Sequence, residues 1–300
     1  MMNKIIIDTD PGTDDFIAIS LALKSNKFDV LGITTVEGNC SLDNATKNAF
    51  KVLNMCGRDD IEVYKGLENS HLNTKNALDI HGNNGLGGVE YTPIDRIPND
   101  MNAIDYLINT VNSNPGEITV VAIGPLTNIA ACIDKDNNFV ENVKELIIMG
   151  GSATFGNIVP HAEFNFYKDP ESANKVVTAP FKSIKIFGWD VTTQAPMVPE
   201  YEERFKVSES KFLNYIYDIT RVASKRDSVL YGGAVISDPL TIAYLIDSDI
   251  CTMEYANVEV IVDGVEAGKS IVNFVDSSNC KFATSVAAES FYKLIFDIIC

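Results

Sequence analysis

Four aspartates stand within eight residues near the N-terminus, in Asp8-Thr9-Asp10-Pro11-Gly12-Thr13-Asp14-Asp15. The apolar triplet Ile5-Ile6-Ile7 runs directly into them, so these carboxylates leave a buried strand together. Crowded carboxylates in such a place cannot all stay ionised without a neutralising charge. A divalent cation supplies it, and a donor set of oxygen alone favours Ca²⁺ or Mg²⁺ over zinc. The plainer alternative is a solvated turn in which Asp14 or Asp15 caps a helix that begins near Phe16. One aspartate would suit that reading, whereas four around a Pro-Gly turn point to metal. An EF-hand fails, because its twelfth loop position needs a carboxylate and counting from Asp8 or Asp10 reaches Ile19 or Leu21. An aspartate-based phosphohydrolase, with one carboxylate as nucleophile and one as acid, fits Asp8-Thr9-Asp10 superficially and stays a rival.

Other polar groups follow other apolar runs. Glu37-Gly38-Asn39 follows Val30 to Val36, and Gly124-Pro125 follows Ile118 to Ile123. Gly150-Gly151, leading to Asn157, follows Leu146 to Met149, and Trp189-Asp190 follows Ile184 to Phe187. Continuous β-branched runs of this kind suit strands covered on both faces. Amphipathic stretches at about 14–24, 43–56, 101–112, 126–133, 169–178, 208–226 and 285–299 supply the covering helices. Val258 to Val262 before Asp263-Gly264 reads as a strand and turn, entering an antiparallel hairpin. The alternation predicts an α/β fold with an open, mostly parallel Rossmann-like sheet flanked by helices. No repeat or Pro/Ser-rich linker divides residues 1–300, which read as a single domain. Ligands of open α/β sheets bind outside the carboxyl ends of the strands, so the five polar clusters are expected to converge.

The 24 Lys and Arg against 41 Asp and Glu give a net charge of -17. So acidic a chain repels phosphate backbones and anionic lipid, which argues against nucleic-acid and membrane partners and is compatible with a cation and a neutral substrate. Cys40, Cys56, Cys132, Cys251, Cys280 and Cys300 are scattered without a CxxC pair, as free thiols in a reducing compartment would be. With no signal-peptide core and no run near the roughly 20 apolar residues of a membrane span, the expected location is cytoplasmic.

Taken together, these motifs resemble the nucleoside hydrolases of the inosine-uridine-preferring type, over essentially the whole chain. The aspartate segment resembles the family's N-terminal signature, and Gly38-Asn39 its Gly-Asn after the second strand. Gly124-Pro125-Leu126-Thr127-Asn128, Met149-Gly150-Gly151, Asn157 and Ala162-Glu163-Phe164-Asn165 match its later blocks. The resemblance implies Ca²⁺ held by the carboxylates of Asp10, Asp15 and Asp238 and the backbone carbonyl of Ile123. It implies that Asp10 takes a proton from a water on the metal, and that Asp14, Asn39, Asn157, Glu163 and Asn165 hold the ribose hydroxyls. The implied reaction splits a ribonucleoside into ribose and free base, and the implied assembly is a homodimer or homotetramer. Oxygen acceptors around the sugar suit such chemistry, because N-riboside cleavage passes through an oxocarbenium-like ribose. Glu163 and Asn165 would share a face if that segment were extended.

The match breaks at Ser237, where relatives place a histidine able to protonate the departing base. A serine hydroxyl is too weak an acid for that task. His71 reads as structural or solvated, and His161 as packed or solvated. His81 opens a segment with four glycines in seven residues, Gly82 to Gly88, which resembles the family's flexible, base-contacting loop. His81 is therefore expected to contact substrate and to act in catalysis. Arg221, Lys225, Arg226, Tyr231 and Trp189 are further groups that could face a base. The loss of the histidine also leaves room for a non-catalytic nucleoside-binding protein.

Overall fold

Ile5, Ile6 and Ile7 have no exposed surface, and they form the middle of a strand, as their run predicts. The computed structural model describes residues 2–68, 81–92 and 94–300. Its strands are β1 (Asn3–Thr9), β2 (Phe28–Thr35), β3 (Val63–Lys65), β4 (Ile118–Ala122) and β5 (Glu145–Met149). After these come β6 (Ile184–Phe187), β7 (Cys251–Val260), β8 (Ser270–Phe274) and β9 (Cys280–Val286). They form one sheet in the order β3-β2-β1-β4-β5-β6-β9-β7-β8. The pairs from β3 through β9 are parallel, and β7 pairs antiparallel with both β9 and β8. The fold is thus the α/β class expected, with a mostly parallel sheet.

The helices are α1 (Thr13–Lys24), α2 (Leu42–Met55), α3 (Ala103–Ser113), α4 (Thr127–Lys135), α5 (Asn137–Asn142) and α6 (Phe164–Lys168). Further along lie α7 (Pro170–Thr178), α8 (Trp189–Thr192), α9 (Pro199–Lys206), α10 (Lys211–Tyr231), α11 (Pro239–Ile246) and α12 (Ala288–Ile299). Because strand side chains alternate, Ile5 and Ile7 enter one core with Phe16, Ile219 and Phe296, while Ile6 enters the opposite core with Leu107 and Ile129. Each such side chain contributes on the order of 2 kcal/mol of burial. The two cores clamp β1 from both faces, and they hold its carboxyl end rigidly where the aspartates begin.

The structure revises several boundaries. α10 runs on to Tyr231, where Gly232 at φ +83° gives the left-handed stop that ends a helix cheaply. The strand expected at 258–262 begins at Cys251 and ends at Val260, so Asp263-Gly264 lies in a longer loop before β8. The antiparallel hairpin itself is present. All six cysteines are free. Among the described residues, no helix is long and apolar enough to cross a membrane.

Candidate active site

The strand order reverses between β1 and β4, whose neighbours then run outward in opposite directions. The crevice at their carboxyl ends is the switch point of the sheet, and the aspartates lie in it. Asp10 is fully buried and its Oδ2 accepts the Asn39 N–H at 2.6 Å. Its Oδ1 is buried without a hydrogen-bond partner. A Cβ on Gly124 would come within 2.7 Å of that oxygen, and one on Gly38 would collide with Oδ2. Both glycines are therefore demanded by the close passage of two loops over Asp10.

Asp15, in the first turn of α1, accepts from the Thr9 hydroxyl, the Gly12 N–H at 2.9 Å and Asn39 Nδ2 at 3.0 Å. Asn39 therefore ties Asp10 to Asp15. Asp14 accepts the Ser237 N–H at 3.2 Å, and buried Asp238 opens α11 ahead of Pro239 at its first position. Ligand oxygens of Asp14, Asp15 and Asp238 lie within 4.8 Å of one another, a group able to hold a metal ion. Asp10, Asp15 and Asp238 were expected there together; the tight trio instead includes Asp14, and Asp10 is not among its oxygens.

Burial raises the carboxyl of Asp10 well above the ordinary range, and the charges of Asp15 and Asp14 push it further. Burial, with Asp14 beside it, lifts Asp15 to about 6 against the donors from Thr9 and Gly12. Asp238 is held high by burial and by Asp14, Asp15 and Asp10, and it keeps the proton shared with Asp15. The shifts of all three run toward the protonated form for want of positive charge nearby, and Asp10 Oδ1 has no partner among the described residues. Oxygen-only donors under such mutual repulsion fit a hard divalent cation.

The opposite wall is built from α6 and the ends of β4 and β5. Glu163 has extended dihedrals, but the segment does not stay extended, because Phe164 and Asn165 already belong to α6. Glu163 is the N-cap of α6, with Oε1 accepting the Asn165 N–H at 2.8 Å and Oε2 those of Gly151 at 2.9 Å and Phe166 at 3.2 Å. The need to satisfy the first N–H groups of the helix explains the difference. Burial lifts Glu163 to about 7, although these three N–H donors pull it down. Asn165 Nδ2 donates to the carbonyls of Ile123 at 3.0 Å and Met149 at 3.1 Å, which fixes the carbonyl expected to face the metal. Asn157 lines the same pocket, with a buried Oδ1 that has no partner. The pocket thus joins Asp14, Asn39, Ile123, Asn157, Glu163, Asn165 and Asp238.

His81 also lines the pocket, and its Nδ1 accepts the Thr13 N–H at 3.1 Å. A backbone N–H can only donate, so the neutral ring carries its proton on Nε2. Burial lowers the pKa of His81 and Arg226 lowers it further, against the pull of Asp14. Gly82, Gly85, Gly87 and Gly88 all take positive φ, the conformation that a run of glycines permits. Trp189 and Arg226 line the pocket, whereas Arg221 and Lys225 are exposed. Tyr231 sits edge-on to Trp189, with ring centroids 5.8 Å apart. Met149, Phe164, Ala223 and Val235 complete the walls; being apolar, they carried no signal that separates a pocket lining from core. Ser237 donates its hydroxyl to Thr192 at 3.2 Å. His161 is not among the lining residues, and His71 lies outside the described residues.

A doubly wound α/β sheet with a buried, metal-competent carboxylate cluster at its switch point defines a ligand-binding α/β architecture. The sequence profile described as "Inosine-uridine preferring nucleoside hydrolase" matches residues 5–293, and the chain belongs to that family of N-glycosyl hydrolases. It is 34% identical over 310 residues to the inosine-uridine preferring nucleoside hydrolase of Leishmania major, covering 100% of this chain and 98% of that one. It is 35% identical over 311 residues to a probable uridine nucleosidase 2 of Arabidopsis thaliana, covering 98% and 96%. Among solved structures, a plant nucleoside hydrolase superposes with a TM-score of 0.93 at 36% identity, covering 100% of this chain and 99% of that one. A purine-preferring ribonucleoside hydrolase from Gardnerella vaginalis gives 0.89 at 29% identity, covering 99% of both.

Proposed function

We propose that residues 1–300 act as one catalytic unit that hydrolyses the N-glycosidic bond of ribonucleosides in a Ca²⁺-dependent reaction, releasing ribose and free base. The observation that carries this reading is the convergence of Asp14 and Asp238 with Asn157, Glu163 and Asn165 in one pocket, with Asp15 completing the carboxylate trio and Asp10 tied to Asp15 through Asn39. Asp10, Asp15, Asp238 and the Ile123 carbonyl would hold the calcium, with Asp14 close enough to share in the site. When bound, the cation would orient a water and make it more acidic.

Asp10 takes the proton released as that water attacks C1′. Asn39 holds Asp10 Oδ2 through its N–H, and Oδ1, unpartnered among the described residues, is the atom that would meet the cation and its water. Asp14, Asn39, Asn157, Glu163 and Asn165 receive the ribose hydroxyls, and their oxygens stabilise the cationic sugar as the bond breaks. Asn165 also steadies the Ile123 carbonyl. Of the roles given to His81, substrate contact through Nε2–H fits its tautomer better than proton donation, which would require an imidazolium with Nδ1–H against the Thr13 N–H.

The enzyme is read as cytoplasmic and as a homodimer or homotetramer, the latter to be checked by light scattering. The activity is tested by incubating the protein with inosine, uridine, adenosine, cytidine and a phosphate ester, with Ca²⁺ or a chelator. Calcium-dependent free base is the expected product. Binding without turnover would mark a nucleoside-binding protein, and cleavage of the ester alone would mark a phosphohydrolase.

A further inference from the structure

Resting on the nucleoside hydrolase reading, we infer that Arg226 carries the leaving-group end of the reaction, stabilising the base as it departs in anionic form. The pocket lining is chemically mixed. Asp14, Asp238, Glu163 and the amides of Asn39, Asn157 and Asn165 supply its acidic and amide groups, and Trp189, Ala223, Val235 and Arg226 also line it. A sugar cation developing beside the carboxylates would be repelled by a guanidinium, so Arg226 is useful only where negative charge develops. In N-riboside cleavage that place is the base, and aromatic and aliphatic lining groups suit a flat heterocycle.

Two other candidates do not bring positive charge to this role. Ser237 spends its hydroxyl on Thr192, and His81, with Nδ1 accepting the Thr13 N–H, offers a neutral Nε2–H. Among the described lining residues Arg226 is the one Lys or Arg. It is held in place: Nε donates to Asp227 Oδ1 at 2.6 Å, Nη2 forms an ion pair with the same oxygen at 2.6 Å, and Asp227 Oδ2 accepts the Val235 N–H at 3.1 Å. Asp227 is buried, so it acts as a positioning residue for the guanidinium. Among the described residues Nη1 has no hydrogen-bond partner, and it remains for the base. The indole Nε1–H of Trp189, buried and unpartnered among the described residues, is a second donor on a residue of the same lining.

Arginine does not give up its proton, so the step is electrostatic. The C1′–N bond breaks and its electron pair stays on the base, delocalised over ring nitrogen and carbonyl oxygen. The water oxygen bonds to C1′ while its proton passes to Asp10. The base anion, hydrogen-bonded to Arg226, then takes a proton from solvent, and Asp10 returns its own to solvent.

The test uses 4-nitrophenyl β-D-ribofuranoside, whose leaving group needs no such help, beside inosine and uridine. In Arg226→Gln, kcat/KM for inosine and uridine falls by about 10²-fold, at least tenfold more than for the nitrophenyl riboside. Arg226→Lys recovers part of the difference by restoring charge. Equal losses on all three substrates, or no loss at all, would overturn the role of Arg226 while leaving the hydrolase reading intact. A wild-type protein inactive on all three would instead sink the hydrolase reading itself. Circular dichroism of each variant excludes misfolding, and Asp227→Asn should reproduce a weaker form of the same selective loss.

Discussion

At the scale of single residues, Asp10 combines two properties that seldom coexist: full burial and a free oxygen. Asp10→Asn keeps an acceptor for the Asn39 N–H but removes the base, so kcat should fall by about 10³-fold. The metal-free variant should melt no lower than wild type at pH 7, because burial disfavours the native carboxylate. A loss of melting temperature comparable to a core cavity would show Asp10 to be structural. His81 gives an independent check. ¹⁵N chemical shifts should report a neutral ring protonated on Nε2 at pH 7, since burial lowers its pKa and Thr13 occupies Nδ1. A spectrum showing Nδ1–H would contradict the hydrogen bond and reopen His81 as a proton donor.

At the scale of elements, α2 joins the aspartate turn to the glycine-rich loop. Buried Asn48 donates through Nδ2 to the carbonyls of Pro11 at 2.9 Å and Asn84 at 2.8 Å, and its Oδ1 accepts the Tyr91 hydroxyl at 2.9 Å. It thereby ties the aspartate turn to the glycine loop behind His81. Asn48→Leu leaves three groups unpaired and should cost about 3 kcal/mol of stability. KM should rise more than kcat falls, as the His81 segment loses its register; an unchanged KM would mean the tie is irrelevant to substrate. This knot was invisible in the sequence, because Asn48 looks like any polar position of an amphipathic helix. The strands were legible, since Ile5 to Ile7 and Ile118 to Ile123 are too apolar for anything but a doubly covered sheet. The acidic cluster and Asp238 were also legible, through motif and charge crowding. Glu163 was placed at the site but in the wrong local geometry, because capping is decided by where α6 starts and not by the Glu-Phe-Asn spacing. β3 was missed because three residues carry no period to read. Trp189 and Arg226 could be named as candidates but not separated from Arg221 and Lys225, since the rotation of α10 against the sheet depends on tertiary packing.

At the scale of the whole molecule, the site couples protonation, metal and stability. Asp15 titrates near 6 in the metal-free fold, and Asp10 and Asp238 are raised too. A carboxyl whose folded pKa is raised binds its proton more tightly when folded. Its contribution is complete below the unfolded value near 4 and is lost as pH rises through the folded value. The metal-free protein should therefore lose stability from pH 4 to about 7 at these positions, and added Ca²⁺ should restore more at pH 7 than at pH 5. Calorimetric titration should show proton release on calcium binding. Equal calcium stabilisation at both pH values would mean that the cation does not replace these protons.

The central claim is that water, driven by Asp10 in a calcium-loaded pocket, attacks C1′ of a ribonucleoside. Turnover of uridine in ¹⁸O-labelled water tests it most directly. The account predicts label on C1 of the released ribose, none on uracil, and turnover abolished by chelation and restored by Ca²⁺. Label in the base, or cleavage undiminished by the chelator, would contradict it.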